Sequence, residues 1–216
     1  IVIFESNLMN FQSMYDFLHS FDIDGVFHLA GCIKDKLVEE IHESDISSIM
    51  DVKIKGIQNL DLYFQNKSHR YFVAFSSIVS LIGNPGQSLY SAANSYMDQF
   101  CINRKKKNLP ALSISLGAIG GCGMIHKDFQ LANTMMNNGI DFTVYNSFFE
   151  KLSECLLDKD ATHLCITDQE WNKISNLNFH HLFKHFVKQT DHFDSIDSEH
   201  CESKLCEFIC KILEIE

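Results

Sequence analysis

The chain has 216 residues, of which 45% are hydrophobic and 21% are charged. This composition is that of an average globular protein and excludes disordered, collagen-like and low-complexity sequence. The 28 acidic and 18 basic residues give a net charge of −10. An extended phosphate-binding surface needs the opposite sign, so we expect no nucleic acid partner. The length predicts one domain, or one domain and a fragment of another.

The longest uncharged stretch, Tyr71 to Met97, is long enough to cross a bilayer, but Ser, Asn, Gln, Gly and Pro interrupt it throughout. We interpret it as buried protein and expect no membrane partner. No secretory signal is visible, and the 8 cysteines are scattered along a chain with many hydrophobic residues. Reduced thiols and a cytoplasmic location are therefore the expectation.

Short apolar runs alternate with segments of helical periodicity along the chain. Strands are predicted at 1–4, 25–30, 71–75, 111–116 and 162–167. Helices are predicted from about Met9 to Leu18 and at 44–63, 88–105, 142–157 and 171–187, with a turn at Pro85-Gly86. This alternation predicts an α/β fold, with a doubly wound and mostly parallel sheet covered by helices on both faces.

A glycine-rich loop follows the fourth predicted strand, with 4 glycines between Gly117 and Gly123. Glycine allows backbone to approach another group closely. Ligands of open α/β sheets bind at the carboxyl ends of the strands. The loop is therefore predicted to belong to a binding site.

Polar residues that can carry acid–base chemistry occur near the same sheet edge. Tyr90 and Asn94 lie four residues apart, on one face of a predicted helix, and Ser77 ends the preceding strand. A tyrosine donates a proton near neutral pH only if a cation stabilises its phenolate, because its ordinary pKa is about 10. Lys53, on the preceding long helix, is the candidate cation.

These residues stand in motifs that resemble the ketoreductase domains of type I polyketide and fatty acid synthases, members of the short-chain dehydrogenase/reductase superfamily. The similarity covers residues 1 to about 182, and asparagine follows the tyrosine by four residues while the lysine lies on the earlier helix, as in the synthase ketoreductases. The matching segments are Gly25-Val26-Phe27-His28-Leu29-Ala30-Gly31, Lys53-Ile54-Lys55-Gly56, Phe75-Ser76-Ser77, Gly83-Asn84-Pro85-Gly86-Gln87, Tyr90-Ser91-Ala92-Ala93-Asn94 and Met97-Asp98.

The resemblance implies a Rossmann-like fold and NADPH-dependent reduction of a carrier-bound β-ketoacyl thioester to a β-hydroxyacyl thioester. Tyr90 would donate the proton, and Ser77 would hydrogen-bond the carbonyl oxygen of the substrate. Lys53 would lower the pKa of Tyr90 and contact the nicotinamide ribose. Asn94 would orient Lys53 or an ordered water. His28 is interpreted as a hydrogen-bonded core histidine.

Cofactor contacts implied by the resemblance are Ala30, Gly31, Leu116 and Gly117, together with Lys53 and Tyr90. The family normally begins earlier, with a strand and a glycine-rich turn that holds the dinucleotide pyrophosphate at a helix N-terminus. No such motif occurs in this chain. We therefore expect the fold to lack its first βαβ unit.

The C-terminal part of the chain is predicted to be a separate region. Residues 1–182 form the ketoreductase segment, the polar residues 183–200 a linker, and residues 201–216 an amphipathic helix that resembles the first helix of an acyl carrier protein. The implied partners are a carrier domain, whose phosphopantetheine bears the substrate, and the other domains of the synthase. No phosphopantetheine attachment is expected within this chain.

Other hypotheses remain open. The chain could be a non-catalytic fragment or partial gene product of a synthase, unable to bind NADPH by itself. A free-standing dehydrogenase of a small alcohol is disfavoured, because Asn94 stands where such enzymes carry lysine. No metal site is predicted, since the spacing of His181 and His185 lacks further ligands and is more typical of a surface helix.

Overall fold

The computed structural model describes residues 7–120 and 141–168. These residues form two compact units. The first contains the described residues up to Ser115 together with Asp160–Leu164, and the second contains the remaining described residues.

The first unit contains most of a four-stranded sheet, whose strands in spatial order are β1 (Gly25–His28), β2 (Tyr71–Ser77), β3 (Leu112–Leu116) and β6 (His163–Ile166). A single-turn 3₁₀ helix, Val38–Glu40, precedes α2. The elements that form this unit are α1 (Phe11–Leu18), β1 (Gly25–His28), α2 (Glu43–Phe64), β2 (Tyr71–Ser77), α3 (Val79–Ile82), α4 (Ser88–Lys106), and most of β3 (Leu112–Leu116) and β6 (His163–Ile166).

The predicted elements of this unit are confirmed to within a few residues. The apolar runs that predicted strands at 25–30, 71–75, 111–116 and 162–167 correspond to β1, β2, β3 and β6. β6 lies at the edge of the described sheet. Asn10 caps the start of α1, since its side-chain oxygen accepts a hydrogen bond from the Ser13 N–H at 3.1 Å. The short helix α3 was not predicted.

Strands β1 and β2 are parallel, with Gly25 opposite Tyr71 and His28 opposite Ala74. Their carboxyl ends therefore lie at one edge of the sheet, where residues 29–31 follow β1 and Ser77 ends β2. The turn predicted at Pro85-Gly86 is present, and Gly86 has a φ of +80° that favours glycine.

The core of the first unit lies where α1, α2 and α4 pack against β2. Buried side chains from these four elements meet there, and this burial is the main stabilising contribution to the unit. The central residues are Met14, Ile57, Leu60, Tyr63, Phe64, Phe72, Ala74, Met97, Cys101 and Ala111.

The second unit contains the short strands β4 (Ala118–Ile119) and β5 (Phe142–Thr143), which pair in parallel, and the helix α5 (Tyr145–Leu157). The prediction of a helix from Phe142 is wrong at its start. The first two residues form β5, and the helix begins only at Tyr145. A two-residue strand is set by pairing with a distant segment, which local periodicity does not show.

Several predictions lie outside the described residues. These are the strand at 1–4, the glycine loop beyond Gly120, the helix at 171–187, the linker at 183–200 and the helix at 201–216. Within residues 7–120 and 141–168, no helix has the combination of length and hydrophobicity that spanning a bilayer requires.

The close pairing of β1 with β2 leaves no room for a side chain at Gly25. A Cβ atom there would lie 2.7 Å from Tyr71 Cβ and 2.9 Å from the Tyr71 carbonyl oxygen. Gly25→Ala must therefore separate the strands, and we expect it to lower the free energy of unfolding in urea by about 1–3 kcal/mol. Ser68→Ala, at an exposed position, serves as the control. Equal stability of both variants would contradict the described pairing.

Candidate active site

Helix α4 presents a row of polar side chains to the interior. Tyr90, Asn94 and Asp98 follow each other at intervals of four residues and so share one face of the helix. All three are buried, and Asn94 is completely enclosed. Polar groups in such positions require specific partners or a function that keeps them there.

Serine hydroxyls fasten α4 to the neighbouring elements. Ser91 Oγ donates a hydrogen bond to the Val79 carbonyl oxygen at 2.8 Å. Ser76 Oγ, from β2, donates to the carbonyl oxygen of Asn94 at 3.4 Å. These bonds fix the position of Tyr90 and Asn94 relative to the end of β2, where Ser77 is located.

Lys53 reaches the same place from α2. Its side chain is only 3% exposed, and its Nζ atom donates a hydrogen bond to the Phe75 carbonyl oxygen at 3.2 Å. The same Nζ atom lies 5.6 Å from the centroid of the Tyr90 ring, within the range of a cation–π interaction. The predicted proximity of lysine and tyrosine is therefore present in the structure.

Two further residues restrict the Lys53 side chain and its helix. A Cβ atom at Gly31 would lie 3.1 Å from Lys53 Cε, so glycine permits this approach. His28, at the end of β1, is buried, and its Nε2 atom lies 3.4 Å from the Lys53 carbonyl oxygen. Burial and the positive charge of Lys53 lower the pKa of His28 to about 4, so this imidazole is neutral.

Burial disfavours the charged form of Lys53. This loss of solvation lowers the pKa of the ammonium from its usual 10.5 to about 8, and the negative charge of Asp98 opposes the decrease. Lys53 is thus still mostly protonated near neutral pH, but it loses its charge within a range in which ordinary lysines remain charged.

The Tyr90 hydroxyl experiences opposing influences. Burial raises the pKa of Tyr90, hydrogen bonds from Asn94 and Ser77 lower it, and the negative charge of Asp35 raises it further. We expected Lys53 to lower the pKa of Tyr90. In this structure, the groups that lower it are Asn94 and Ser77. The Lys53 ammonium lies over the ring face and donates its hydrogen bond to Phe75 instead.

Asn94 makes a contact that the expectation did not include. Its Nδ2 atom donates to the Tyr90 carbonyl oxygen at 2.8 Å, one helical turn back. Its Oδ1 atom is buried and, among the described residues, accepts no hydrogen bond. A buried carbonyl oxygen without a donor is costly, and it provides an acceptor for a water molecule or a ligand.

The expected cofactor contacts fall in both units. Ala30 and Gly31 are exposed immediately after β1, at the carboxyl edge of the sheet. Leu116 ends β3 and belongs, with Gly117, to the second unit, where the Gly117 N–H donates to the Ile166 carbonyl oxygen at 2.8 Å. A cofactor-binding role for these four residues stays a prediction.

Asp98 is a buried residue on the same face of α4 for which no role was predicted. Its carboxylate accepts hydrogen bonds from Ser113 Oγ at 2.6 Å and from Ser80 Oγ at 2.8 Å. Its position four residues after Asn94, on the same face of the helix, is the sequence pattern that could have pointed to it.

In the part of the chain that the structure describes, no group of three or more His, Cys, Asp or Glu residues is placed to hold a metal ion.

The profile of the family described as KR domain matches residues 7–121, which include α1, β1, α2, β2, α4 and β3. The chain belongs to the KR domain family. The match contains Lys53, Ser77, Tyr90 and Asn94, so the residues that converge in the structure lie within the recognised domain.

Similar proteins are large synthases. The chain is 29% identical over 170 residues to the highly reducing polyketide synthase tstA of Talaromyces stipitatus, covering 76% of this chain and 7% of that protein. It is 36% identical over 118 residues to the highly reducing polyketide synthase easB of Emericella nidulans, covering 55% of this chain and 5% of that protein. The chain thus spans less than a tenth of the length of these relatives.

Solved ketoreductase structures share the fold of this KR domain. A structure of A-type ketoreductases from a modular polyketide synthase has a TM-score of 0.73 at 24% identity and covers 79% of this chain and 38% of its own. A structure of an A1-type ketoreductase also has a TM-score of 0.73, at 22% identity, and the match covers 92% of this chain and 40% of that one. The expected Rossmann-like α/β fold is confirmed.

The burial of Lys53 predicts an unusual dependence of stability on pH. The pKa of the Lys53 ammonium has its usual value of 10.5 in the unfolded chain and falls to about 8 in the folded chain. The unfolded state therefore binds more protons between these values, and stability rises with pH in that window. The charged lysine costs roughly 3 kcal/mol below it.

We therefore expect Lys53→Met to be more stable than the parent chain near neutral pH by about 1–3 kcal/mol. This advantage should shrink towards about pH 10, where the parent lysine is largely neutral. Urea unfolding of both proteins across this range measures the difference. An advantage that is constant with pH would show that Lys53 is not buried as described.

Proposed function

We propose that this KR domain reduces the β-keto group of an acyl thioester to a β-hydroxyl group, with NADPH as the reductant, inside a polyketide or fatty acid synthase. The observation that carries the proposal is the convergence of Lys53, Ser77, Tyr90 and Asn94 within one compact unit, at the carboxyl edge of the sheet. The family membership supports the same assignment.

Ketone reduction requires a proton donor and hydrogen-bond donors where negative charge develops on the carbonyl oxygen. The Tyr90 phenol supplies the proton, since its raised pKa keeps it protonated at neutral pH. Ser77 interacts with the same hydroxyl, so an oxygen atom beside Tyr90 can accept from both residues.

Lys53 and Asn94 support this transfer. The ammonium over the Tyr90 ring stabilises the negative charge that remains on the phenolate after proton donation. The Oδ1 atom of Asn94, which accepts no hydrogen bond within the described part of the chain, can accept one from a water molecule that resupplies the proton. Asn94 also fixes the backbone at Tyr90 through its Nδ2 atom.

The residues present fit a nicotinamide cofactor, which supplies hydride to the substrate when bound. The exposed backbone of Ala30 and Gly31 lies after β1, where dinucleotides bind to this class of sheet. The Lys53 ammonium and the Asn94 side-chain oxygen offer a donor and an acceptor for polar groups at the same edge. Leu116 and Gly117 are proposed as further contacts.

The substrate and partners follow from the synthase relatives. Because the matched proteins are named as polyketide synthases, we infer that the acyl group is presented on the phosphopantetheine arm of an acyl carrier domain. The other catalytic domains of such a synthase are the remaining partners. A cytoplasmic location fits this assignment.

Tyr90→Phe tests the proposal directly, because it removes only the hydroxyl that donates the proton. We expect the rate of NADPH oxidation with a β-ketoacyl pantetheine thioester to fall by about 10²- to 10⁴-fold. Tyr96→Phe is the matched control, since Tyr96 lies on the same helix and its hydroxyl contacts Gln58 instead. That variant should retain nearly full activity.

The assay is performed with this chain and with a longer polypeptide that contains it. Activity in the longer polypeptide alone would assign catalysis to the complete domain and leave this chain as a non-catalytic part of it. If the longer polypeptide is folded and binds NADPH but reduces no β-ketoacyl thioester, the proposed function is wrong.

A further inference from the structure

A short stretch of chain between β1 and the 3₁₀ helix, which we call the 34–36 segment, contacts the beginnings of two helices. Lys34 and Lys36 donate hydrogen bonds to side chains of α2. Asp35 and the backbone N–H of Lys36 bond to the turn that precedes α4. The segment therefore touches both helices that carry the candidate catalytic residues.

The attachment to α2 is an ion pair with a buried carboxylate. Lys36 Nζ lies 2.7 Å from Asp45 Oδ2, and the Asp45 side chain is only 8% exposed. The same oxygen accepts the His42 N–H at 3.1 Å, which completes the cap at the start of α2. The hydrogen bond from Lys36, followed by that from His42, lowers the pKa of Asp45, so its carboxylate is charged at neutral pH. Lys34 adds a bond to Ser48 Oγ at 3.1 Å.

The attachment to α4 uses both backbone and side-chain groups. The Lys36 N–H donates to the Gly86 carbonyl oxygen at 2.8 Å, and Gln87 Nε2 donates to the two Asp35 oxygens at 3.0 and 3.2 Å. Gln87 directly precedes α4, and Tyr90 lies in the first turn of that helix. The Asp35 charge also acts on Tyr90, since it raises the pKa of the phenol. The position of the 34–36 segment thus bears directly on Tyr90.

The buried face of α2 leads from this attachment to the site. Asp45, Ile49 and Lys53 follow each other at intervals of four residues, and all three are buried. Backbone hydrogen bonds make the helix stiff over these two turns, so a shift at Asp45 is carried along to Lys53. The 5.6 Å separation between Lys53 Nζ and the centroid of the Tyr90 ring therefore depends on how the two helix starts are joined.

The contacts of the two lysines argue against an anion-binding site at the start of α4. The ammonium group of Lys36 is bonded to Asp45, and that of Lys34 is bonded to Ser48. Asp35 places a negative charge beside the same turn, which would repel an incoming anion. A structural connection accounts for these contacts better than ligand binding does.

We propose that Lys36 is a positioning residue for the proton donor Tyr90. Its ammonium holds Asp45 on α2, and its N–H holds Gly86 in front of α4, so that one residue sets the separation of the two helices at the site. The effect on reduction rests on the proposed function, whereas the connection between the helices does not.

Lys36→Met tests this role, because it removes the ammonium and keeps the backbone N–H. In a longer polypeptide that contains this chain, we expect kcat for the β-ketoacyl pantetheine thioester to fall by about 10-fold, since small misplacements of reacting groups cost up to about 10²-fold. KM for the thioester should stay within about threefold, because the loss concerns proton transfer and not substrate binding. Lys36→Arg retains a charged donor and should restore kcat to within about threefold of the parent.

Lys55→Met is the matched control. It removes an ion pair of similar length, Lys55 with Asp51 at 2.6 Å, but this pair lies within α2 and joins no second element. We expect kcat to be unchanged. Asp45→Asn should lower kcat as Lys36→Met does, and the double variant should lose no more than either single variant, because both changes break the same ion pair.

Amide hydrogen exchange, measured by NMR on the full chain, reports on the connection without any reaction. Asp45→Asn removes the charge but keeps an oxygen for the His42 N–H. Exchange at the Lys36 amide, which is bonded to Gly86, should accelerate by about tenfold in this variant and stay unchanged in Lys55→Met. If Asp45→Asn does not fold, Lys36→Met replaces it, with the rate at residue 36 corrected for the new side chain.

Several results would overturn the proposal. These are an unchanged kcat in folded Lys36→Met, an unchanged exchange rate at residue 36, a loss of kcat that Lys36→Arg does not restore, and an equal loss in Lys55→Met. Accelerated exchange in a domain without any ketoreduction would leave the connection between the helices intact and contradict the proposed function alone.

Discussion

The hydrogen bond from Lys53 to the Phe75 carbonyl oxygen connects the helix α2 to the strand β2 at the site, and it does so by burying an ammonium group. Such burial is unfavourable unless the charge has partners. The carbonyl oxygen of Phe75 and the ring of Tyr90 provide them. The packing of α2, β2 and α4 is therefore arranged around one cation.

Regular strands and helices are enough to place the site residues around the Lys53 ammonium. Parallel pairing of β1 and β2 brings residues 29–31 and Ser77 to one edge. Serine hydroxyls, of which Ser76 and Ser91 are examples, hold α4 against β2 and α3 with hydrogen bonds to backbone carbonyl groups. Because these bonds originate from several elements, the polar face of α4 is held more rigidly than burial of apolar side chains alone would achieve.

Sequence patterns predicted most of the first unit because the spacing of apolar residues along the chain reflects which side chains become buried. The regular spacing of Ile49, Leu60 and their neighbours predicted α2, and the apolar run at 71–75 predicted β2. The four-residue interval between Tyr90 and Asn94 placed both on one face. The short elements α3 and β5 were missed, since four and two residues carry no detectable period. The Asp98 hydrogen bonds depend on three elements meeting, which no local pattern encodes.

The central claim is that Lys53, Ser77 and Tyr90 surround a single point at the carboxyl edge of the sheet. A crystal structure of a polypeptide that contains this chain, bound to oxidised nicotinamide cofactor, measures this directly. We predict that the Ser77 and Tyr90 hydroxyls lie within hydrogen-bonding distance of one site beside the nicotinamide ring, with the Lys53 ammonium adjacent to Tyr90. A nicotinamide ring bound away from these three side chains would contradict the account.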